Sequence, residues 1–412
     1  MNHQHTHTPP SFAHSPDFEW TRQQFDLPEG MIYLNGNSLG PMPRASVPAM
    51  TNFLTDEWRT ELIKGWNTKN WFTQTNTLGD RVGHLIGAGA GTTVVGDTLS
   101  IKVFQAVAAG MAMVPERRVV FSDSGNFPTD LYMVEGLMKL KDAGYTLHTP
   151  APEDVMEAIT EEVGVVMLTE VDYRMGRRHD MKAVIEKAHA VGAVVVWDLA
   201  HSAGAVPVDV GGFDTDFAIG CTYKYLNGGP GAPAFIYVAP RLLETVEPFL
   251  SGWYGHEAPF AFDTDYRPMP GKIERMRIGT PSIASFALLS VALDIWDKAD
   301  MGEVHAKSIE LSELFIREVE ARCPGLKLVS PRDPAARGSH VSFAFEHGYA
   351  AMQALIADNV IGDFRAPDVM RFGITPLFVN EADIIDAVDK LERILEEERF
   401  KDAEFQKRAL VT

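Results

Sequence analysis

Cysteine is nearly absent from this sequence. Its 412 residues hold two, Cys221 and Cys323, with no C-x-x-C pair and no His/Cys cluster, so neither a disulfide framework nor a metal site is expected. Free thiols fit a reducing compartment, and a cytoplasmic location is expected. Positive charge is scarce too: 37 Lys and Arg stand against 56 Asp and Glu, a formal net charge of −19. That balance argues against nucleic acid and anionic membrane as partners, since both demand a basic patch. A small anion held by a few local donors stays possible. Long apolar runs are missing, and the cleanest, such as GAVVVW, are far too short to cross a bilayer. The opening MNHQHTHTPPSFAHSPDFEW lacks a basic region followed by an apolar one, so no signal peptide is expected. Its histidines are scattered among Pro, Ser and Thr and read as part of a flexible arm, assigned to residues 1–30, rather than a metal tract.

What is present is the composition of a globular protein, 45% hydrophobic and 23% charged. Between about 80 and 240, short β-branched runs alternate with helical patterns. RRVVFSD, GVVMLTEV, GAVVVWDLA, FAIGCTY and APAFIYV read as buried strands, and MKAVIEKAHAVG as an amphipathic helix closed by glycine. This alternation predicts an α/β fold with a mostly parallel sheet covered on both faces. The last two runs, joined by a short Gly/Pro loop, predict one antiparallel pair. After residue 285 the texture changes to two long helical patterns, a strand-like HVSFAFE and a charged terminal helix. The chain is therefore divided into the arm, a large domain over 31–284 whose first part can pack on the smaller one, and a small α+β domain over 285–412.

Parallel sheets collect ligands at the carboxyl ends of their strands. After VVVW come Asp198 and His201; after FAIGCT, Tyr223 and Lys224; after VVMLT, Glu170; after RVVFSD, SGNFPTD with Phe127 and Asp130; after GTTVVG, a polar helix start in DTLSIKVF. Singly these are turn formers, solvated charges and core rings. Together they suit pyridoxal 5′-phosphate. Lysine offers an amine for a Schiff base, and an acid keeps the pyridine nitrogen protonated. An aromatic ring stacks on the cofactor, and helix-start groups at Leu99 and Ser100 hold phosphate.

WDLAHSAGAVPVDV and DFAIGCTYKYLNGGPGAPAFIYV resemble the fold-type I, pyridoxal-phosphate-dependent enzymes of the class V aminotransferase group. YLNGNSLGPMP, SGNFPTD, SGWYGHE, RIGTPSI and DVMRFGITPLF resemble the kynureninase family more closely, over about residues 30–395. The resemblance implies a large domain with a mostly parallel seven-stranded sheet and a smaller C-terminal one. It implies hydrolytic Cβ–Cγ cleavage of L-kynurenine to anthranilate and L-alanine in tryptophan catabolism. Lys224 would form the Schiff base, Asp198 would partner the ring nitrogen and His201 would orient Asp198. Phe127 would stack on the ring, with Asp130 and Thr169 as polar neighbours. Leu99, Ser100, Tyr223, Trp253 and Thr280 match phosphate-binding positions, the last two supplied by the other subunit of a homodimer with shared sites. Arg371 would clamp the substrate's α-carboxylate, and Tyr223 would relay protons. Trp66 belongs either to the aromatic end of the substrate or to the core. Gly279-Thr280 stands where enzymes preferring 3-hydroxykynurenine carry Ser-Asn, which favours plain kynurenine.

Two other readings compete. A cysteine-desulfurase-like or other class V enzyme would need a nucleophilic thiolate on a mobile loop. A non-catalytic sensor on this fold would be expected to carry an added DNA-binding domain, for which the N-terminal arm leaves no room.

Overall fold

The computed structural model describes residues 17–408. No helix among them is long and apolar enough to cross a membrane. The chain enters through the short helix Phe18–Gln23, whose start is capped by the Asp17 side chain. Residues 1–16 of the expected arm lie outside the described range, but residues 17–30 are not a loose tail. Arg22 pairs with Asp383 at 2.6 Å, and Phe25 is buried edge-on against Phe378.

A two-residue strand, β1 (Ile32–Tyr33), precedes the main sheet. That sheet holds seven strands: β2 (Thr93–Val95), β3 (Val119–Phe121), β4 (Thr146–His148), β5 (Val163–Thr169), β6 (Val194–Asp198), β7 (Phe217–Cys221) and β8 (Ala234–Val238). Their order is β2-β8-β7-β6-β5-β3-β4. Only β8 runs against its neighbours, and the expected antiparallel pair is present, with Phe217 opposite Val238 and Cys221 opposite Ala234. Every residue of β5, β6 and β7 is buried, as continuous β-branched runs in a two-sided sheet require. The helix Leu99–Met113 lies on β5–β8, and its AVAAG stretch lets it come close. A β-carbon on Gly110 would already sit 3.2 Å from Val165.

The C-terminal unit is a four-stranded antiparallel sheet in the order β12-β13-β10-β9. Its strands are β9 (Lys327–Leu328), β10 (His340–Ala344), β12 (Asp363–Arg365) and β13 (Val369–Gly373). The helices Met301–Arg322 and Gly348–Ala357 pack on it, and Glu381–Glu396 packs on those two helices. The separate short strand β11 (Val360–Ile361) pairs in parallel with β1, so the start of the chain is stitched to its end. The helix Ile283–Trp296, placed by sequence at the head of the small domain, instead packs on helices Ser46–Asn52 and Gln74–Leu85. Arg81 fastens it there through Ser290, Asp294 and Asp297.

The Asn35–Gly40 segment, N-G-N-S-L-G, runs between the two units. The Gly40 amide donates to the Tyr223 carbonyl at 2.8 Å, while the Leu34 carbonyl accepts from Gly373 at 2.7 Å. A β-carbon on Gly40 would lie 2.4 Å from the Lys224 carbonyl oxygen and 2.8 Å from Asn227 Cα, both backbone atoms with little room to give. We therefore expect Gly40→Ala to cost roughly 1–3 kcal/mol, measured as a lower urea midpoint. An unchanged midpoint would show that the two segments do not press together.

Candidate active site

Asp198 ends β6 and Thr169, its register partner, ends β5. The Ala200 amide donates to Asp198 Oδ1 at 2.8 Å, and the Thr169 hydroxyl lies 3.5 Å from Oδ2. That hydroxyl makes its shorter bond, 2.6 Å, to Asn126 Oδ1. The same oxygen accepts the Phe127 amide at 2.6 Å, and Asn126 Nδ2 donates to the Ser122 hydroxyl at 2.9 Å. Asn126 thus fixes the spacing between Phe127 and the strand ends. It stands inside SGNFPTD, but nothing in its residue type singled it out.

Asp130, in the first turn of helix Pro128–Lys141, meets Asp198 there, and neither acid is more than 2% exposed. Burial holds both carboxyls above the usual aspartate range. The charge of Asp198 pushes Asp130 further up, and Lys224 pulls both back. Asp130 Oδ2 is buried without a partner.

Lys224 sits in the turn after β7, its Nζ 2.9 Å from His201 Nε2 and 5.8 Å from the centre of the Tyr223 ring. The role expected for His201 changes accordingly. Its ring bonds Lys224, while Asp198 is oriented by the Ala200 amide and the Thr169 hydroxyl. Three residues of turn are enough to carry the imidazole away from the acid. Burial, then the nearby Lys224, holds His201 well below its ordinary value, so the ring is neutral. Burial also pushes the Tyr223 phenol up and keeps its proton on. Glu170 is fully buried and turned to Arg178 at 2.7 Å, a structural pair.

Leu99 and Ser100 begin their helix at the carboxyl end of β2, and the N-cap Thr98 makes no side-chain bond to it. The amides of the first turn are therefore not capped from within. Phe127 is 41% exposed and meets Tyr173 edge-on at 5.2 Å, leaving a ring face open.

Arg371 is buried on β13, directly opposite Asp363 of β12. Its Nε donates to Asp363 Oδ1 at 2.7 Å and Nη2 to Oδ2, with further bonds to the Ser38 hydroxyl at 2.7 Å and the Tyr173 carbonyl. Arg365 shares the same acid at 3.0 Å. Two guanidinium groups against one carboxylate leave a positive charge over, which favours an incoming carboxylate. One edge of Arg371 is taken by Asp363, so that ligand must displace Ser38 or the Tyr173 carbonyl.

Trp66, Trp253 and Thr280 come together elsewhere. They line an aromatic depression of about 1180 Å³ with Phe72, Phe260 and Tyr266, and none of Lys224, Asp198, His201 or Arg371 borders it. Trp66 packs edge-on to Trp253 at 6.3 Å.

Comparison with known proteins decides the assignment. Kynureninase of Pseudomonas fluorescens is 48% identical over 398 residues, 95% of each chain, and that of Burkholderia pseudomallei (strain 1106a) is 47% identical over the same share. The chain belongs to the kynureninase family. A family model described as the kynureninase C-terminal domain matches residues 304–391. Solved structures show the fold. A cysteine desulfurase of Thermococcus onnurineus NA1 superposes with a TM-score of 0.78 at 18% identity, covering 92% of this chain and 98% of that one. The Escherichia coli cysteine desulfurase CsdA gives 0.77 at 21%, covering 93% and 100%.

Members of this family are pyridoxal-phosphate enzymes, and the residues here fit that group. They provide an amine at Lys224, a buried acid pair with an unpartnered oxygen, an open aromatic face and an uncapped helix start.

Both raised aspartates favour the proton in the folded state. Their contribution to stability is complete below the ordinary value of 3.8 and is lost as pH rises through the higher folded value. Cofactor-free Asp130→Asn should therefore melt above wild type at about pH 8 and lose that advantage towards about pH 4. The same melting temperatures at both ends would contradict the burial argument. Arg371→Ala leaves the buried Asp363 carboxylate to Arg365 and Ser38 alone, and we expect a loss of roughly 1.5–3 kcal/mol in urea unfolding. Adding Asp363→Asn should recover part of it, and no recovery would mean that the two residues are energetically independent.

Proposed function

We infer that this chain hydrolyses the Cβ–Cγ bond of L-kynurenine, giving anthranilate and L-alanine. The observation that carries this reading is that the charge of Lys224 acts on two buried acids, Asp198 at a strand end and Asp130 at a helix start, in a chain 48% identical to a kynureninase. When bound, pyridoxal phosphate supplies an aldehyde for an amine and a ring that accepts the electrons left at the substrate's α-carbon.

The chain's residues do the rest. Lys224 would hold the aldehyde carbon and, once released, take the α-proton as a free amine. Asp198 would keep a proton on the ring nitrogen, with Asp130 behind it. Phe127 would cover the ring face, and the amides at Leu99 and Ser100 would hold phosphate. Tyr223, kept protonated by burial, is the donor for proton return near the phosphate. Arg371 would hold the α-carboxylate against the spare positive charge of the Arg371–Arg365–Asp363 group. Water adds at the γ-carbonyl, the Cβ–Cγ bond breaks, and the β-carbon takes up a proton.

Trp253 and Thr280 lie apart from Lys224 on this chain. That separation supports a homodimer in which each subunit lends this pair, with Trp66, to the other's site. Thr280 is exposed, and a β-carbon on Gly279 would meet nothing within 4 Å. Glycine and threonine at these two positions replace the Ser-Asn pair that would hold an extra hydroxyl, which favours kynurenine over its 3-hydroxy form. The small charged substrate and reduced thiols support a cytoplasmic enzyme.

Cysteine desulfuration is the weaker reading. Both thiols are buried, and burial raises Cys323 to about 11 and Cys221 above its ordinary value, so neither offers a thiolate.

Purified protein assayed by anthranilate fluorescence should turn over kynurenine faster than 3-hydroxykynurenine. Lys224→Ala should bind the cofactor without the visible band and show no steady turnover. Retained turnover in that variant would overturn the assignment.

A further inference from the structure

Arg277 follows the short turn Ile273–Met276 and is only 5% exposed, yet among the described residues its guanidinium reaches only neutral oxygens. Nη1 donates to Asn76 Oδ1 at 3.2 Å and to the Thr75 hydroxyl at 3.5 Å, and Nε is buried without a partner. Asp97, which borders the same narrow cavity, is taken by Lys102 at 2.9 Å, and Glu274 acts only through its more distant charge. Burial holds the guanidinium below the ordinary arginine value. Buried charges are ordinarily paired, so this one requires an explanation. Two aromatic rings supply it. The guanidinium carbon lies 4.2 Å from the centre of the Tyr254 ring and 5.3 Å from that of Phe72, and the two rings meet edge-on at 5.0 Å.

The aromatic depression is built on these two rings. Trp66 lies edge-on to Tyr254 at 6.4 Å, Trp253 lies 5.1 Å from Tyr254 and 6.3 Å from Phe72, and Phe260 lies 5.7 Å from Phe72. The Tyr254 phenol donates to the Phe72 carbonyl, and the Tyr254 amide donates to the Ile278 carbonyl at 3.2 Å. Phe72, Trp66, Trp253 and Phe260 line the depression, whereas Arg277 and Tyr254 stand behind it. We propose that Arg277 is the positioning residue of this wall, its cation holding Phe72 and Tyr254 on one centre and so fixing how Trp66 and Trp253 face the ligand. An apolar side chain could fill the same space but could not bind two ring faces while gripping Thr75 and Asn76 at the start of helix Gln74–Leu85. The proposal rests on the reading above, in which the depression is lent to the other subunit and meets the aromatic end of kynurenine.

The test uses the cofactor-loaded enzyme with two probes: anthranilate, which carries only the aromatic end, and L-alanine, which carries only the amino-acid end. Arg277→Met removes the charge and keeps an apolar chain in its place. Anthranilate binding should weaken roughly five- to thirtyfold, the range of a desolvated cation–π contact. KM for kynurenine should rise by a similar factor, well beyond any fall in kcat, while the spectral change on adding L-alanine keeps its wild-type midpoint. Arg277→Lys should recover part of the loss, since an ammonium also binds an aromatic face. Unchanged anthranilate binding in a folded Arg277→Met overturns the inference. So do equal losses for anthranilate and L-alanine, which would mark a residue that merely supports the fold. If Arg277→Met fails to fold, Tyr254→Leu puts the same question from the other side of the contact, because Tyr254 does not border the depression; unchanged anthranilate binding there overturns the inference as well. If the wild type neither binds anthranilate nor cleaves kynurenine, the reading of the site falls first and takes this one with it.

Discussion

Two carboxyl groups brought out of water to the same point set the terms for the rest of this site. Asp130 and Asp198 come from different elements, a helix start and a strand end, and both are almost wholly buried. Neither can ionise freely beside the other, and Lys224 is the cation that pulls both back. A protonated ring nitrogen would suit such a pair, being a cation that arrives with its own flat apolar body. In the proposed function the acids would set the protonation state of what binds there before any substrate is present. The surrounding bonds hold this costly arrangement in place. The Ala200 amide and Thr169 hydroxyl orient one acid, and Asn126 ties Thr169 to Phe127.

The second constraint is distance between units. Lys224 belongs to the large sheet and Arg371 to the small one, yet a single amino-acid substrate would have to reach both. The Asn35–Gly40 segment sets that gap with backbone contacts rather than long side chains. Gly40 donates to the carbonyl of Tyr223, and Ser38 accepts from Arg371 while donating to Asp363 at 2.5 Å. Small residues suit such a seam, because each added atom would lengthen the span it has to fix.

Much of this is legible in the chain itself. Buried strands announce themselves as β-branched runs, and residues at their carboxyl ends fall at one sheet edge by topology alone. Lys224, Asp198, Thr169 and Phe127 were legible for that reason. Partners far apart in sequence were not. Asp363 faces Arg371 only because β12 and β13 pair in that register, and His340 reaches His201 only because the small sheet docks where it does. His201 misled through nearness, since standing three residues from Asp198 says nothing about where a turn points its ring. The helix Ile283–Trp296 misled for another reason. An apolar face shows that a helix is covered, not which unit covers it.

The cysteine desulfurases that share this fold at 18–21% identity sharpen the distinction between scaffold and chemistry. A sheet edge that seats a lysine and an acid serves any reaction passing through a carbanion at the α-carbon. The fate of that carbanion depends on the groups around the edge. Sulfur transfer needs an exposed thiolate, and this chain buries both of its thiols, which favours the proton on each. Carbon–carbon hydrolysis needs proton donors that stay loaded and a carboxylate clamp with charge to spare. Burial keeps the Tyr223 phenol protonated, and Arg365 and Arg371 share a single acid. The same physical quantity, desolvation, thus disables one chemistry and equips the other.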